Sequence, residues 1–180
     1  TPMGNFFHAS DFKLDPTPFD GKTTDLNRIE SLGKEGVISL MSDCLGAEKQ
    51  GFSKSEITIL ENFEKEIQNC KGKFIVTTYS SNIARLNQVI KASEIVGRRV
   101  CFIGRSLTKT KEVAQKLGYM KLKDGIEIEL DQVKNYKDSE LTLLVAGSQG
   151  QEQSAMNRIA NGEHREIKLN EDDVIIFSAD

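Results

Sequence analysis

What this chain of 180 residues lacks narrows its class before any motif is read. No apolar run approaches the roughly 20 residues needed to span a bilayer, which predicts a soluble protein with no membrane partner. The opening residues Thr1-Pro2-Met3-Gly4-Asn5 lack the basic start, apolar middle and small-residue cleavage site of a secretion signal. Cysteine is limited to Cys44, Cys70 and Cys101, an odd number with no C-x-x-C pair. That excludes a disulfide framework and predicts reduced thiols in a cytoplasmic protein; two of the three sit in or beside apolar runs, which favours core packing over redox chemistry. A net charge of -3 excludes a general pull toward nucleic acid, so any such contact must come from a local patch. The best basic cluster is Arg98-Arg99, Arg105, Lys109 and Lys111, although clusters of this size ordinarily lie on a solvated face. Histidine is scarce, with only His8 and His164. A catalytic zinc site typically takes three or more protein ligands, and two distant histidines, three scattered cysteines and Asp11 do not readily build one. The chain alone is therefore not expected to hold a catalytic metal. There is no internal repeat and no low-complexity segment.

What is present has a clear rhythm. Five short apolar runs stand out: Val37 to Met41, Phe74 to Thr77, Val100 to Ile103, Leu141 to Ala146 and Val174 to Phe177. They are nearly continuous rather than alternating, as in strands covered on both faces. Helical spacing lies between most of them. Ile59, Leu60, Phe63 and Ile67 share one face, and Ser53 followed by Glu56 has the spacing of a capping box. Ile83, Leu86 and Ile90 form a second face. Val113, Ala114 and Leu117 form a third, closed by Gly118 as a left-handed cap. Met156, Ile159 and Ala160 form a fourth, with Gly162 beyond it. The pattern predicts an α/β three-layer sandwich: a mostly parallel sheet of about five strands with helices on both faces, Rossmann-like in layout. Ile126, Ile128 and Leu130 alternate and predict a short half-covered strand. Arg165 to Leu169 alternates as well and predicts another.

The first 30 or so residues differ. All three prolines (Pro2, Pro16, Pro18) fall here, with Phe6, Phe7, Phe12 and Phe19 among polar residues. So many aromatics normally pack against something, which predicts a segment whose partner lies elsewhere.

In an open parallel sheet, ligands bind beyond the carboxyl ends of the strands. The residues after the apolar runs are Ser42-Asp43, Thr78-Tyr79-Ser80-Ser81-Asn82, Gly104-Arg105-Ser106, Gly147-Ser148-Gln149-Gly150 and Ser178-Ala179-Asp180. All are small or polar, fit to cap helices and to leave backbone N–H groups open to an anion. They predict a phosphate- or nucleotide-binding rim, with Gly147-Ser148-Gln149-Gly150 its sharpest loop. Asp11 follows a short apolar strand, where a carboxylate can ligate a metal or cap a turn. His8 lies three residues earlier, on the opposite strand face, and reads as structural. His164 reads as a surface or loop histidine.

Taken together, several of these runs carry a family resemblance. Gly4 to Lys13, Leu40-Met41-Ser42-Asp43, Ser80-Ser81-Asn82-Ile83, Gly104-Arg105-Ser106, Gly147-Ser148-Gln149-Gly150 and Asn161-Gly162-Glu163-His164-Arg165 resemble bacterial ribonuclease J. The resemblance runs through essentially the whole chain in one register. It implies a metallo-β-lactamase fold with an inserted β-CASP domain, excised here so that residues 1–35 are the tail of the first metallo-β-lactamase segment and residues 36–180 the β-CASP domain. It implies two divalent metals, zinc in the full-length enzyme, activating a water for in-line attack on RNA in exonuclease and endonuclease modes. By the same comparison Asp11 matches a metal-bridging aspartate and Asp43 an acidic catalytic residue opening the β-CASP region. Ser80, Ser81, Asn82, Arg105, Ser106, Ser148 and Gln149 become the RNA- and phosphate-binding candidates, and Tyr79 could stack on a base. Ser10, Cys44-Leu45 and Gln151 depart from the family pattern. The partners implied are RNA, the missing metallo-β-lactamase portion and a homo-oligomer, with the isolated fragment inactive. From the residues alone, a sugar-phosphate- or nucleotide-binding module is the rival reading.

Overall fold

The computed structural model describes residues 1–179 and divides into two compact units, Thr1–Thr58 and Ile59–Asp180. In the first, β1 (Asn5–Ala9) and β2 (Val37–Ser42) pair in parallel, Ala9 opposite Ser42, with α1 (Leu26–Glu35) between them in sequence. Asp25 caps α1 by accepting the Arg28 N–H at 2.9 Å. The helix α2 (Ile57–Asn69) begins without the expected Ser53–Glu56 capping box. Instead the Asp15 carboxylate accepts the Glu56 N–H at 2.7 Å, and the Ser55 hydroxyl accepts that of Ile57 at 3.3 Å. That Glu56 amide, followed by the amide of Thr17 and the hydroxyl of Ser55, holds the Asp15 carboxyl below its ordinary value against the opposing effect of desolvation. Among the described residues of this unit, Asp15 alone is buried. Every large apolar side chain of β2 stays at least partly open, Leu40 at 64%.

The second unit contains the sheet. Strands β3 (Phe74–Thr77), β4 (Arg99–Ile103), β5 (Leu141–Val145) and β6 (Val174–Phe177) are all parallel, in the order β4-β5-β3-β6. The α/β class is as expected. The larger sheet has four strands rather than about five, because Val37–Ser42 pairs with β1 instead of joining it. Period-two alternation divides the strand side chains between two layers. Phe74, Val76, Val100, Phe102 and Leu144 pack with Phe63 and Ile67 of α2, Leu86 and Ile90 of α3 (Ile83–Val96), and Leu107 and Ala114 of α4 (Arg105–Lys116). Ile75, Cys101, Ile103, Leu141, Leu143 and Val145 pack with Met156 and Ile159 of α5 (Ala155–Ala160) and Val133 of a 3-10 turn. β3 and β5 are buried along their whole length, whereas edge strand β6 alternates. That is why continuous apolar runs marked the central strands.

Two expected strands do not form. Ile126 to Leu130 contributes one bridge, Glu127 beside Val100 at the β4 edge. Arg165 to Leu169 is irregular. There the His164 ring Nδ1 accepts the Ile167 N–H at 3.2 Å, a local bond that competes with strand pairing, and Ile167 is buried in the second layer. The amino ends of the strands are tied by buried cations. Lys73 pairs with Asp138 at 2.8 Å and Asp173 at 3.0 Å, and Arg98 donates to the carbonyls of Cys70, Gly72 and Leu141.

Candidate functional site

The connections of the sheet make the site. From β3 the chain crosses through α3, in the first layer, to β4; from β5 it crosses through α5, in the second layer, to β6. β3 and β5 are hydrogen-bonded neighbours, so the two departures open a crevice beyond their carboxyl ends. A groove of about 1350 Å³ lies there, lined by the loops after β3, β4 and β5. Ser80, Arg105, Ser106 and Ser148 line it together.

Its floor is backbone. Gly104 has φ +116°, and a Cβ there would come within 2.6 Å of the Ala146 Cβ just past the end of the neighbouring strand β5. Gly147 has φ +118°, and a Cβ there would meet the Ser154 Oγ at 2.3 Å. Only glycine fits at either position. Because Gly104 is the N-cap of α4, no side chain caps that helix. Its first-turn amides therefore point their partial positive charge toward the loops without a side-chain acceptor of their own.

The other expected site residues have different work. The Asn82 side chain caps α3, accepting the Arg85 N–H at 3.0 Å. Ser81 lies outside this groove and lines a neighbouring one. Gln149 does not line the groove either. Its Nε2 donates to the Tyr79 hydroxyl at 3.2 Å, joining the β3 and β5 loops, and its Oε1 accepts from Gln151 at 2.9 Å. Ser178 is turned to its own neighbours: its carbonyl accepts from Thr78 and Arg85. Asp180 lies outside the described residues.

The basic cluster disperses. Arg98 is buried, Arg99 lies over the Tyr136 ring, and Lys111 pairs with Glu127. Only Arg105 and Lys109 reach the groove. Arg158 joins them and was missed; it stands four residues after the α5 N-cap Ser154, on the same helical face. Glu112, Glu129 and Glu152 line the same space, so the groove balances its charges and offers local anion contacts rather than a basic funnel.

His164 is buried rather than on the surface. Burial first, then the charge of Arg158, holds its imidazole below the ordinary histidine range, consistent with the neutral ring accepting the Ile167 N–H. Burial, followed by the charges of Glu129 and Glu127, pushes the Cys101 thiol up to about 12. It stays protonated and packs as a small apolar group.

Asp11 and Asp43 belong to the first unit. The parallel register and the Asp43 N–H donating to the Ala9 carbonyl at 3.0 Å place both beyond the carboxyl ends of β1 and β2. The Asp43 carboxylate also accepts the Leu45 N–H at 3.1 Å. Both carboxylates are exposed, as is His8. Among the described residues no three of His, Cys, Asp and Glu are grouped to hold a metal ion. The donors present do not fit a complete two-metal centre.

The family model of the ribonuclease J β-CASP domain matches residues 71–180. The chain belongs to this family. The match covers the second unit from just before β3. The whole chain is also similar to ribonuclease J of Synechocystis sp., 37% identical over 99% of this chain and 28% of that protein. Ribonuclease J of Thermus thermophilus is 40% identical over 99% of the chain and 31% of its own length, and that of Helicobacter pylori strain J99 is 39% identical over 99% and 26%. The chain thus spans less than a third of these relatives. No helix among the described residues is long and apolar enough to cross a membrane.

Proposed function

We propose that this chain is the nucleotide-side portion of a cytoplasmic, metal-dependent ribonuclease, and that its switch-point groove holds RNA by phosphate. The observation that carries the reading is the convergence of Ser80, Arg105, Ser106 and Ser148 beside the uncapped start of α4. Hydroxyls, a guanidinium and open amides are the donors a phosphate needs. The family relationship supplies the polymer: its relatives are named ribonucleases. In this reading residues 1–35 complete a metallo-β-lactamase fold whose remainder lies outside the chain, and residues 36–180 form the β-CASP domain. Asp11 provides one ligand to a pair of divalent metals, zinc in the full-length enzyme. Asp43, just past the end of the neighbouring strand, would serve as an acidic catalytic group. The remaining metal donors are not in this chain, so no hydrolytic step is assigned to it, and the piece alone neither cleaves RNA nor holds the metals. Processing of RNA in exonuclease and endonuclease modes, and assembly into a homo-oligomer, belong to the intact protein.

The test is binding. A 5′-phosphorylated RNA oligonucleotide is expected to bind this chain weakly, and Arg105→Ala to weaken it about tenfold, the loss of one or two charge-assisted hydrogen bonds. Sugar phosphates are expected to give little thermal stabilisation. Stabilisation by sugar phosphates without any response to RNA would reverse the assignment in favour of a small-molecule module. Metal-dependent cleavage by the purified chain would overturn its inactivity.

A further inference from the structure

A second groove, about 380 Å³, opens between the start of α3 and the outer side of α4. Its wall is unusual for a solvent-facing helix. Val113 is 49% exposed, Leu117 65% and Tyr119 58%. Helical spacing alone assigns Val113 and Leu117 to the core with Ala114, yet α4 buries Leu107 and Ala114 and leaves those two outside. Ile83 and Ser81 complete the opposite side.

The platform is held firmly. The Tyr119 N–H donates to the Ala114 carbonyl at 2.8 Å, and the Tyr119 carbonyl accepts from the Asn87 side chain at 2.7 Å. The next residue, Met120, is buried in the first layer. Main-chain anchoring from both α3 and α4 thus presents an aromatic ring to solvent at little ordering cost on binding.

Two observations identify the occupant. Lys109 lines both grooves, and the adjacent residues Ser80 and Ser81 line one each, so the apolar shelf continues the phosphate-holding rim. Among the residues lining the shelf, Lys109 is the sole charged one, which favours a polyanion whose other face is apolar. We infer that the shelf is a base-stacking subsite for single-stranded RNA: bases lie on Tyr119, Val113 and Leu117 while Lys109 holds the phosphate between shelf and groove. Aromatic stacking of this kind tolerates any base, so the subsite adds affinity with strand length and no sequence preference. The inference rests on the groove binding RNA.

The experiment compares 5′-phosphorylated oligonucleotides of two and six residues on the full-length enzyme, in its wild-type, Arg105→Ala, Tyr119→Ala and Leu117→Ser forms. Affinity in the wild type is expected to rise with length, and Tyr119→Ala to remove about tenfold of that gain, within the range lost with one stacked base. Leu117→Ser is expected to remove less. A photoreactive uridine at the third to fifth position should crosslink near Tyr119. If Arg105→Ala weakens the dinucleotide but the length gain survives in Tyr119→Ala, the shelf is refuted and the groove stands. If Arg105→Ala changes nothing, the groove reading fails and takes the shelf with it. A change in oligomeric mass in the shelf variants, with the length gain intact, would identify the patch as a protein contact instead.

Discussion

The two units of this chain are built from similar elements and reach opposite ends of burial. Residues 1–58 contain two parallel strands and a helix, yet none of their apolar side chains is buried among the described residues. The second unit encloses apolar clusters on both faces of four strands. The lesson is that strand pairing and a capped helix do not make a core. A parallel pair needs a layer over each face, and β1 and β2 bury no side chain fully within their own unit. Their exposed side chains have the composition of an interior and the accessibility of a surface.

Mutation can sharpen or break this contrast. Phe74, wholly buried and edge-to-face with Phe63 at 6.4 Å, is expected to cost about 3–5 kcal/mol when changed to alanine, measured by urea unfolding. A loss below about 1 kcal/mol would mean that the second unit is not the stable one.

Acidification gives a smaller effect with a definite sign. The folded His164 titrates below its ordinary value of 6.5, so folding favours the uncharged ring. Its contribution is complete above that value and lost as pH falls through the lowered one. The Asp15 carboxyl, in the first unit, and Asp138, in the second, are also held low. For Asp138 burial works against this, and hydrogen bonds from Lys73 and Asn170 override it. Their contributions are present above 3.8 and fade below it. Unfolding midpoints between pH 7 and 5 therefore report the second unit, and His164→Gln should flatten that slope; an unchanged slope would assign the pH dependence elsewhere.

The smallest expected effect is at Leu40. Leu40→Ser should shift stability by no more than about 0.5 kcal/mol and reduce self-association of the isolated chain in ultracentrifugation. A large destabilisation would show that β2 is covered after all.

Much of this was legible beforehand, and the failures have causes. Phe74–Thr77 and Val174–Phe177 were readable to the residue because turn-forming residues bound them tightly. The pairing of Val37–Ser42 was not, since an apolar run specifies burial but not its neighbour. That Ser80, Arg105, Ser106 and Ser148 share one groove followed from the rule that the loops after parallel strands gather along one edge of the sheet. Arg158 sits within a helix, where a basic side chain reads as ordinary surface. His164 does lie in a loop, as the glycine, glutamate and arginine around it suggest, but its burial was not readable from them: the ring is enclosed and accepts the Ile167 N–H.

The glycine-built floor of the groove has a bearing on how such a protein changes over time. Where Gly104 passes Ala146 and Gly147 passes Ser154, the cradle's contour is dictated by covalent backbone geometry. Residues around its mouth are free to drift and to retune the groove's charge and polarity, while the cradle keeps its form. The two glycines are the fixed points of that freedom: any replacement there reshapes the whole floor at once.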